Sequence, residues 1–255
     1  MMKYYEQLLK TGCFTWEEIC LLVGNQNTAN ALVQSYLKKG YIRRVKQNLY
    51  VAVNLLDDEP AVSKYRIATK ITDSAYVSHH AAFDYYGYAN QVSYQVEVSS
   101  KTEFRPFNFE DITYRYLKSR IAEGVTVRPD GVRVTDPERT LLDNINDFDK
   151  VMGIEELLRC IALIPTLKED KLLQYLALYD KQFLYQKTGY ILSDFQSDLN
   201  LSDDFFNKCT SHIGNSKRYL FRNSNDGIYD SKWRIIAPRD LSQIVLKGDY
   251  ADATI

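Results

Sequence analysis

The stretch that decides the fold is residues 25–51, which read NQNTANALVQSYLKKGYIRRVKQNLYV. From Ala29 to Leu37, apolar side chains recur at i, i+3, i+4, i+7 and i+8, so the spacing predicts a helix with one buried stripe that ends at Gly40. Residues 42–51 then form a strand-like pattern with Asn48 in its turn, since asparagine tolerates positive φ. The stretch therefore predicts a helix followed by a basic hairpin.

Two shorter helices are predicted before this stretch. An amphipathic pattern predicts the first, which ends near Gly12. Thr15 and Glu18 have the spacing of a capping box, so a second helix begins there and ends at Gly24. Three helices and a hairpin within residues 1–55 predict a winged helix-turn-helix, in which the third helix enters the major groove of DNA.

Charge is distributed unevenly along the chain. The whole sequence carries a formal net charge of −1. Residues 1–53 hold seven basic and three acidic side chains, a net +4, so the remaining residues carry −5. Five of the cations lie between Lys38 and Lys46, with no acidic residue among them. A basic module beside an acidic body is typical of a nucleic-acid-binding domain attached to an effector domain, although many charged faces are only solvated.

Two groups of side chains suit a DNA interface. Amides and a hydroxyl on the exposed face of the third helix can bond to base edges, and the cations that follow lie where phosphates would be. The candidate DNA-binding residues are Gln26, Asn27, Thr28, Asn30, Gln34, Lys38, Lys39, Arg43, Arg44 and Lys46. The alternative is a protein-interaction adaptor whose winged helix does not bind DNA.

Five segments, which together span about residues 12–145, resemble the AbiEi-type antitoxins, a family of predicted transcriptional regulators of viral defence systems. The segments are Phe14–Glu18, Leu37–Val45, Leu49–Val51, Tyr76–Gly87 and Val134–Asp143. The family usually has glycine in the wing turn, where this chain has Asn48, a mild departure because asparagine tolerates the left-handed region. Beyond about residue 150 the chain shows no resemblance to the family.

The resemblance implies a DNA-binding antitoxin that represses its own operon in an abortive-infection system. Its partners would be double-stranded operator DNA and a nucleotidyltransferase-like toxin, AbiEii, encoded beside it. In this type IV class of toxin–antitoxin system, the antitoxin need not form a stable complex with the toxin.

The rest of the chain predicts an α+β fold. Residues 54–60 become acidic and contain a proline, which indicates a linker. Helices are predicted near residues 61–72, 79–86, 137–148, 154–164, 168–179, 181–196 and 203–212. Strands are predicted near residues 94–98, 112–116, 125–127, 132–134, 219–222 and 233–237. A turn at 223–227 separates the last two strands. The predicted organisation is a winged helix-turn-helix at 1–55 and a larger mixed α+β domain at 56–255, with a subdivision near 150 left open.

No catalytic, metal-ligating or cofactor-binding residue is predicted. Glu97 and Lys101 are one residue too far apart for a nuclease motif, yet a nucleic-acid-processing enzyme with its site in the second domain stays an alternative. His79 and His80 would point about 100° apart on a helix and would not converge on one metal. The segment Asp136–Asp143 is interpreted as a helix start with an internal ion pair.

The expected compartment is the cytoplasm, with no membrane partner. The four cysteines, Cys13, Cys20, Cys160 and Cys209, form no C-x-x-C pair, which favours reduced thiols. The sequence shows no signal-peptide pattern and no apolar run of the ~18 residues that a membrane span requires.

Overall fold

A computed structural model describes residues 3–221, 227–238 and 241, and within these residues helices alternate with three β-sheets. This mixture confirms the predicted α+β class. The helices are α1 (Tyr5–Thr11), α2 (Trp16–Val23), α3 (Gln26–Lys38), α4 (Lys64–Ala68), α5 (His79–Tyr86), α6 (Pro137–Val151), α7 (Gly153–Ala162), α8 (Glu169–Tyr179), α9 (Gln182–Ser193) and α10 (Asp203–Ser211). The strands are β1 (Cys13–Thr15), β2 (Ile42–Lys46), β3 (Leu49–Asn54), β4 (Glu59–Pro60), β5 (Tyr76–Val77), β6 (Gln95–Ser100), β7 (Phe107–Phe109), β8 (Ile112–Lys118), β9 (Val125–Val127), β10 (Arg133–Thr135), β11 (Arg218–Tyr219), β12 (Ile228–Asp230) and β13 (Ile235–Ala237).

The chain divides into two compact units. Unit 1 comprises the described residues of Met1–Val77, Tyr94–Ser119 and Val127–Val134, and unit 2 comprises those of Ser78–Ser93, Arg120–Thr126 and Thr135–Ile255. Residues 56–77 therefore pack in the same unit as residues 3–55, and no boundary between the units falls at residue 55. The functional division into residues 1–55 and 56–255 stays a prediction.

Local sequence sets the ends of the first helices. Thr15 accepts a hydrogen bond from the Glu18 amide and the Glu18 side chain accepts one from the Thr15 amide, so the predicted capping box at the start of α2 is present. The Asn25 side chain caps α3 by accepting from the Thr28 amide. Asn48 adopts a φ of 61° in the turn between β2 and β3. These confirmed features depend on neighbours a few residues away.

The first helices and the hairpin share one core in unit 1. Its buried members are Tyr5, Leu8, Phe14, Ile19, Ala29, Val33, Tyr36, Ile42, Tyr50 and Ala52. The sequence did not predict β1, which pairs with β3 so that the strand order is β1-β3-β2. Residues 54–60, predicted as a linker, turn back instead, and Pro60 pairs with Val53 on β3.

The larger sheet has the order β7-β8-β6-β5-β10-β9. Its centre is the parallel pair β6 and β8, in register from Gln95 opposite Thr113 to Ser100 opposite Lys118. The two predicted strands at 94–98 and 112–116 are confirmed, and both extend further toward their C-terminal ends. The predicted strands near 125–127 and 132–134 are present as the neighbouring strands β9 and β10, and in the turn between them the Arg128 amide donates to the Val132 carbonyl.

Helices α5 to α10 build the apolar core of unit 2. Leu141, Leu157, Leu172, Leu184 and Phe205 contribute to it from five successive helices. The third sheet, in the order β11-β13-β12, packs Ile235 and Ala237 into the same core. Residues 222–226, which contain most of the predicted turn at 223–227, lie outside the described residues. Among the described residues, no helix has both the length and the apolar character that a bilayer crossing requires.

Gly189 on α9 gives a test of packing in unit 2. A Cβ atom there would overlap the indole ring of Trp233, which is buried. Helix propensity alone favours alanine over glycine by ~1 kcal/mol. We expect Gly189→Ala instead to lower the free energy of unfolding by about 1–3 kcal/mol, because overpacking dominates.

Urea denaturation of Gly189→Ala, Trp233→Leu and the double variant measures this effect. The loss caused by Gly189→Ala should shrink in the Trp233→Leu background, since the smaller side chain leaves room for the methyl group. A stabilised single variant, or strictly additive losses, would contradict the packing argument.

Candidate nucleic-acid interface

Helix α3 has two faces of opposite character. Ala29, Val33 and Tyr36 are buried in the core of unit 1. Asn27, Asn30, Gln34 and Lys38 follow one another at intervals of three or four residues, and all four are exposed. The buried stripe therefore fixes a polar stripe on the opposite side of the helix.

Some side chains at the start and on the polar face of α3 already have hydrogen-bond partners within the protein, and others do not. Gln26, Asn27 and Gln34 are exposed and make no side-chain hydrogen bond to the described residues. Asn30 accepts a hydrogen bond from the indole nitrogen of Trp16 at 2.9 Å. The Thr28 hydroxyl lies 3.3 Å from the Asn25 side chain that caps the helix. The first three side chains are thus available to a ligand, whereas Asn30 and Thr28 already have a local partner.

Three of the predicted cations are open to solvent. Lys38, Lys39 and Arg44 are exposed and form no ion pair with the described residues. The Arg44 guanidinium lies 5.7 Å from the centre of the Tyr50 ring, and Lys39 lies 5.9 Å from that of Tyr41. Stacking of this kind leaves the positive charge accessible to an anion.

Arg43 has other partners. Its guanidinium lies 2.8 Å from Glu110 and 2.9 Å from Asp58. The hydrogen bond to Glu110 is the main reason why the pKa of Arg43 is raised, with the charge of Asp58 acting in the same direction. The predicted phosphate contact at this position would require both ion pairs to break.

Lys46 is also directed into unit 1. Its ammonium donates to the Ile71 carbonyl at 3.1 Å and lies between 5.7 and 5.9 Å from the rings of Phe104 and Phe107. Burial lowers the pKa of this amine. Lys46 therefore contributes to packing in this structure, and it is not presented beside Arg44 as the sequence predicted.

Strand geometry explains the difference between Arg43 and Arg44. Successive side chains of a strand point to opposite faces of the sheet, so neighbours on β2 cannot both face the same ligand. In register, Arg43 lies opposite Val51 and Arg44 opposite Tyr50. The alternation was readable from the sequence, whereas Glu110, which lies 67 residues further along the chain, was not.

The segment Asp136–Asp143 has the structural role that its sequence predicted. Asp136 caps α6 by accepting from the Arg139 amide at 2.9 Å. Arg139 forms an ion pair with Asp143 at 3.0 Å and donates to the Glu123 carbonyl at 2.7 Å. Because only 1% of Arg139 is exposed, its guanidinium is not available to an external partner.

His79 and His80 lie in different environments of unit 2, which confirms that they do not converge on one point. His79 lies 3.8 Å from Asp147. His80 lies 3.1 Å from Glu156, whose carboxylate also accepts from the thiol of Cys160. The second group brings together three side-chain types that bind transition metals. The sequence could not reveal it, because Glu156 and Cys160 come more than seventy residues after His80.

Asp147 is the centre of a second charged cluster in unit 2. It is buried and accepts hydrogen bonds from Arg120 at 2.9 Å and from Lys150 at 2.8 Å. Burial alone would raise the pKa of this carboxyl, but the nearby His79, the hydrogen bond from Lys150 and the charge of Arg120 together hold the pKa well below its usual range. The folded state therefore stabilises the ionised form of Asp147.

Comparisons with known proteins bear on the fold. No protein-family profile matches the chain, and no curated protein matches it. Its structure is similar to the crystal structure of the RV2827C protein from Mycobacterium tuberculosis, with a TM-score of 0.66 and 10% sequence identity over 96% of this chain and 93% of that one. At this level of identity the similarity shows a shared fold.

The Asp147 cluster predicts a pH dependence of stability. A depressed carboxyl pKa stabilises the fold by an amount that is present above the unfolded pKa of about 3.9 and is lost progressively as pH falls below that value. We expect Asp147→Asn to lower the free energy of unfolding by about 2–3 kcal/mol at pH 7, because it removes the buried carboxylate that accepts from Arg120 and Lys150. The loss should be smaller at pH 3, where the parent has lost part of the same contribution.

Urea denaturation at the two pH values measures this difference. The matched control is Asp149→Asn, which removes an exposed carboxyl from the same helix. An equal loss for Asp147→Asn at both pH values would contradict the ionic role assigned to this residue.

Proposed function

We propose that the protein is a DNA-binding transcriptional repressor, and that residues 1–55 act as a winged helix-turn-helix on double-stranded operator DNA. The observation that carries the proposal is the exposure of the amides of α3 together with that of the cations Lys38, Lys39 and Arg44. The side chains of Asn27 and Gln34 make no hydrogen bond to the described residues. Solvent-exposed donors and acceptors of this kind can be satisfied by base edges at little cost.

The chemistry of the surface supports separate roles for the two groups. Asparagine and glutamine can bond with two hydrogen bonds to adenine, which favours Asn27 and Gln34 as the residues that discriminate sequence. Lysine and arginine release counterions from phosphates, which favours Lys38, Lys39 and Arg44 as sources of affinity. Arg43 and Lys46 act in this proposal as residues that hold the hairpin in place.

We further propose that the protein is the antitoxin of a type IV abortive-infection system and has no enzymatic activity. Support for this role comes from the resemblance of residues 12–145 to AbiEi-type antitoxins. The residues outside 1–53 carry a net charge of −5, so they would be repelled by DNA and are suited to a different target. In this proposal they counter a cytoplasmic nucleotidyltransferase-like toxin, without a requirement for a stable complex.

The adjacent arginines of β2 provide a matched test of the DNA interface. We expect Arg44→Ala to weaken binding to all duplex sequences and to reduce the slope of log K against log salt by about one, because one phosphate contact is lost. Arg43→Ala should leave the slope nearly unchanged, since its charge is already neutralised by Asp58 and Glu110. Gln34→Ala should cost about 1–3 kcal/mol on the preferred site only.

Fluorescence anisotropy of the full chain with promoter and scrambled duplexes, at several salt concentrations, measures these quantities. Equal slopes for the parent and Arg44→Ala would contradict the interface. Absence of salt-dependent binding by the parent chain would favour the adaptor alternative.

The antitoxin role is tested by co-expression with the toxin gene adjacent in the genome. We expect the full chain to relieve the growth arrest caused by the toxin. The triple variant Gln34→Ala, Lys38→Ala and Arg44→Ala should relieve it equally well while losing promoter repression, because the two roles use different surfaces. If the parent chain does not relieve the arrest, the antitoxin role is wrong even where DNA binding is intact.

A further inference from the structure

One buried cluster of unit 2 takes no part in the proposed DNA interface. His80 lies on α5, and Glu156 and Cys160 lie one turn apart on α7. Nε2 of His80 lies 3.1 Å from Oε1 of Glu156, and Sγ of Cys160 lies 3.4 Å from the same oxygen. One nitrogen, one oxygen and one sulfur atom from the three residues all lie within 4.8 Å of one another. Two helices thus direct three different donors toward one point.

The cluster is enclosed by protein. The side chains of His80 and Glu156 are each 8% exposed, and Cys160 is fully buried. A thiol and an imidazole are weaker partners for a buried carboxylate than a cation is. They leave one of its oxygens, Oε2 of Glu156, without a hydrogen-bond partner among the residues that the structure describes. A buried carboxylate oxygen without a partner is costly, because it has lost its hydration. A cation bound by this carboxylate would offset part of that cost.

We propose that His80, Glu156 and Cys160 bind a Zn²⁺ ion. In tetrahedral zinc sites the bonds are about 2.0–2.3 Å long, which places neighbouring ligand atoms roughly 3.3–3.7 Å apart. The two separations of 3.1 and 3.4 Å lie close to that range, so small side-chain adjustments admit the ion. Mixed nitrogen, sulfur and carboxylate ligands favour Zn²⁺ over Mg²⁺ or Ca²⁺, which prefer oxygen alone.

The surroundings also support a zinc site. The Asn90 backbone amide donates to Oε1 of Glu156 at 3.3 Å, which orients the carboxylate as outer contacts do in metal sites. His80, Glu156 and Cys160 would each supply one ligand, and a water molecule would complete the tetrahedral coordination. On binding, the Cys160 thiol gives its proton to the solvent and a sulfur–zinc bond forms. The ion would link α5 to α7, a structural role that is independent of DNA binding.

The probe for this site is Co²⁺, which replaces Zn²⁺ and gives coloured thiolate complexes. Titration of the reduced full-length chain should show a thiolate-to-cobalt charge-transfer band that saturates at one ion per chain and disappears when Zn²⁺ is added. Cys160→Ser should abolish the band. Cys209→Ser, which changes another buried cysteine of unit 2, should retain it.

Thermal unfolding provides a second readout that does not depend on colour. Zn²⁺ should raise the melting temperature of the parent and of Cys209→Ser, because it binds the folded state only. Glu156→Gln, which keeps the shape of the side chain, should weaken Co²⁺ binding on the order of 100-fold. Circular dichroism confirms that each variant is folded, and Glu156→Gln replaces Cys160→Ser if the latter does not fold.

Three results would overturn the proposal. The first is a parent chain without a charge-transfer band at saturating Co²⁺. The second is a band that persists in folded Cys160→Ser, which would place the metal on another cysteine. The third is equal Co²⁺ affinity of the parent and Glu156→Gln. In each case the cluster would be a hydrogen-bonded contact between α5 and α7 only.

Discussion

The burial of Ala29, Val33 and Tyr36 is the constraint on which the proposed interface depends. These side chains fix the rotation of α3 about its axis, so the opposite stripe must face solvent. The same core holds Ile42 and Tyr50 of the hairpin, which sets the position of β2 beside the helix. The amides of α3 are thus exposed because the apolar side chains on the opposite face of the helix are buried.

Ion pairs then decide which cations on this surface are available. Arg43 and Arg44 are identical in chemistry and adjacent in sequence, but the alternation of β2 gives them different surroundings. Arg43 meets Asp58 and Glu110, whereas Arg44 lies over Tyr50 and keeps its charge open to solvent. A basic segment of sequence therefore does not by itself predict a phosphate-binding surface, because some of its cations form ion pairs within the protein.

In unit 2, some buried charged side chains stabilise the fold and are not available to a ligand. Arg139 and Asp147 are each surrounded by several partners, and removal of one partner would leave an uncompensated charge in an apolar core. These groups hold the ends of α6 in place. The group of His80, Glu156 and Cys160 differs from them because it combines a thiol with an imidazole and a carboxylate, and these donor types favour a bound transition-metal ion there.

The sequence by itself determined the α+β class, most helices and the caps of α2 and α6, because capping and helical periodicity depend on residues within four positions. It also determined that Asp136–Asp143 begins a helix with an internal ion pair. It did not reveal β1 or the return of residues 54–60 as β4, since both depend on pairing with β3. Only the tertiary structure decided that Glu110 neutralises Arg43 and that Glu156 and Cys160 meet His80, because such contacts join residues far apart in the chain and leave no local pattern.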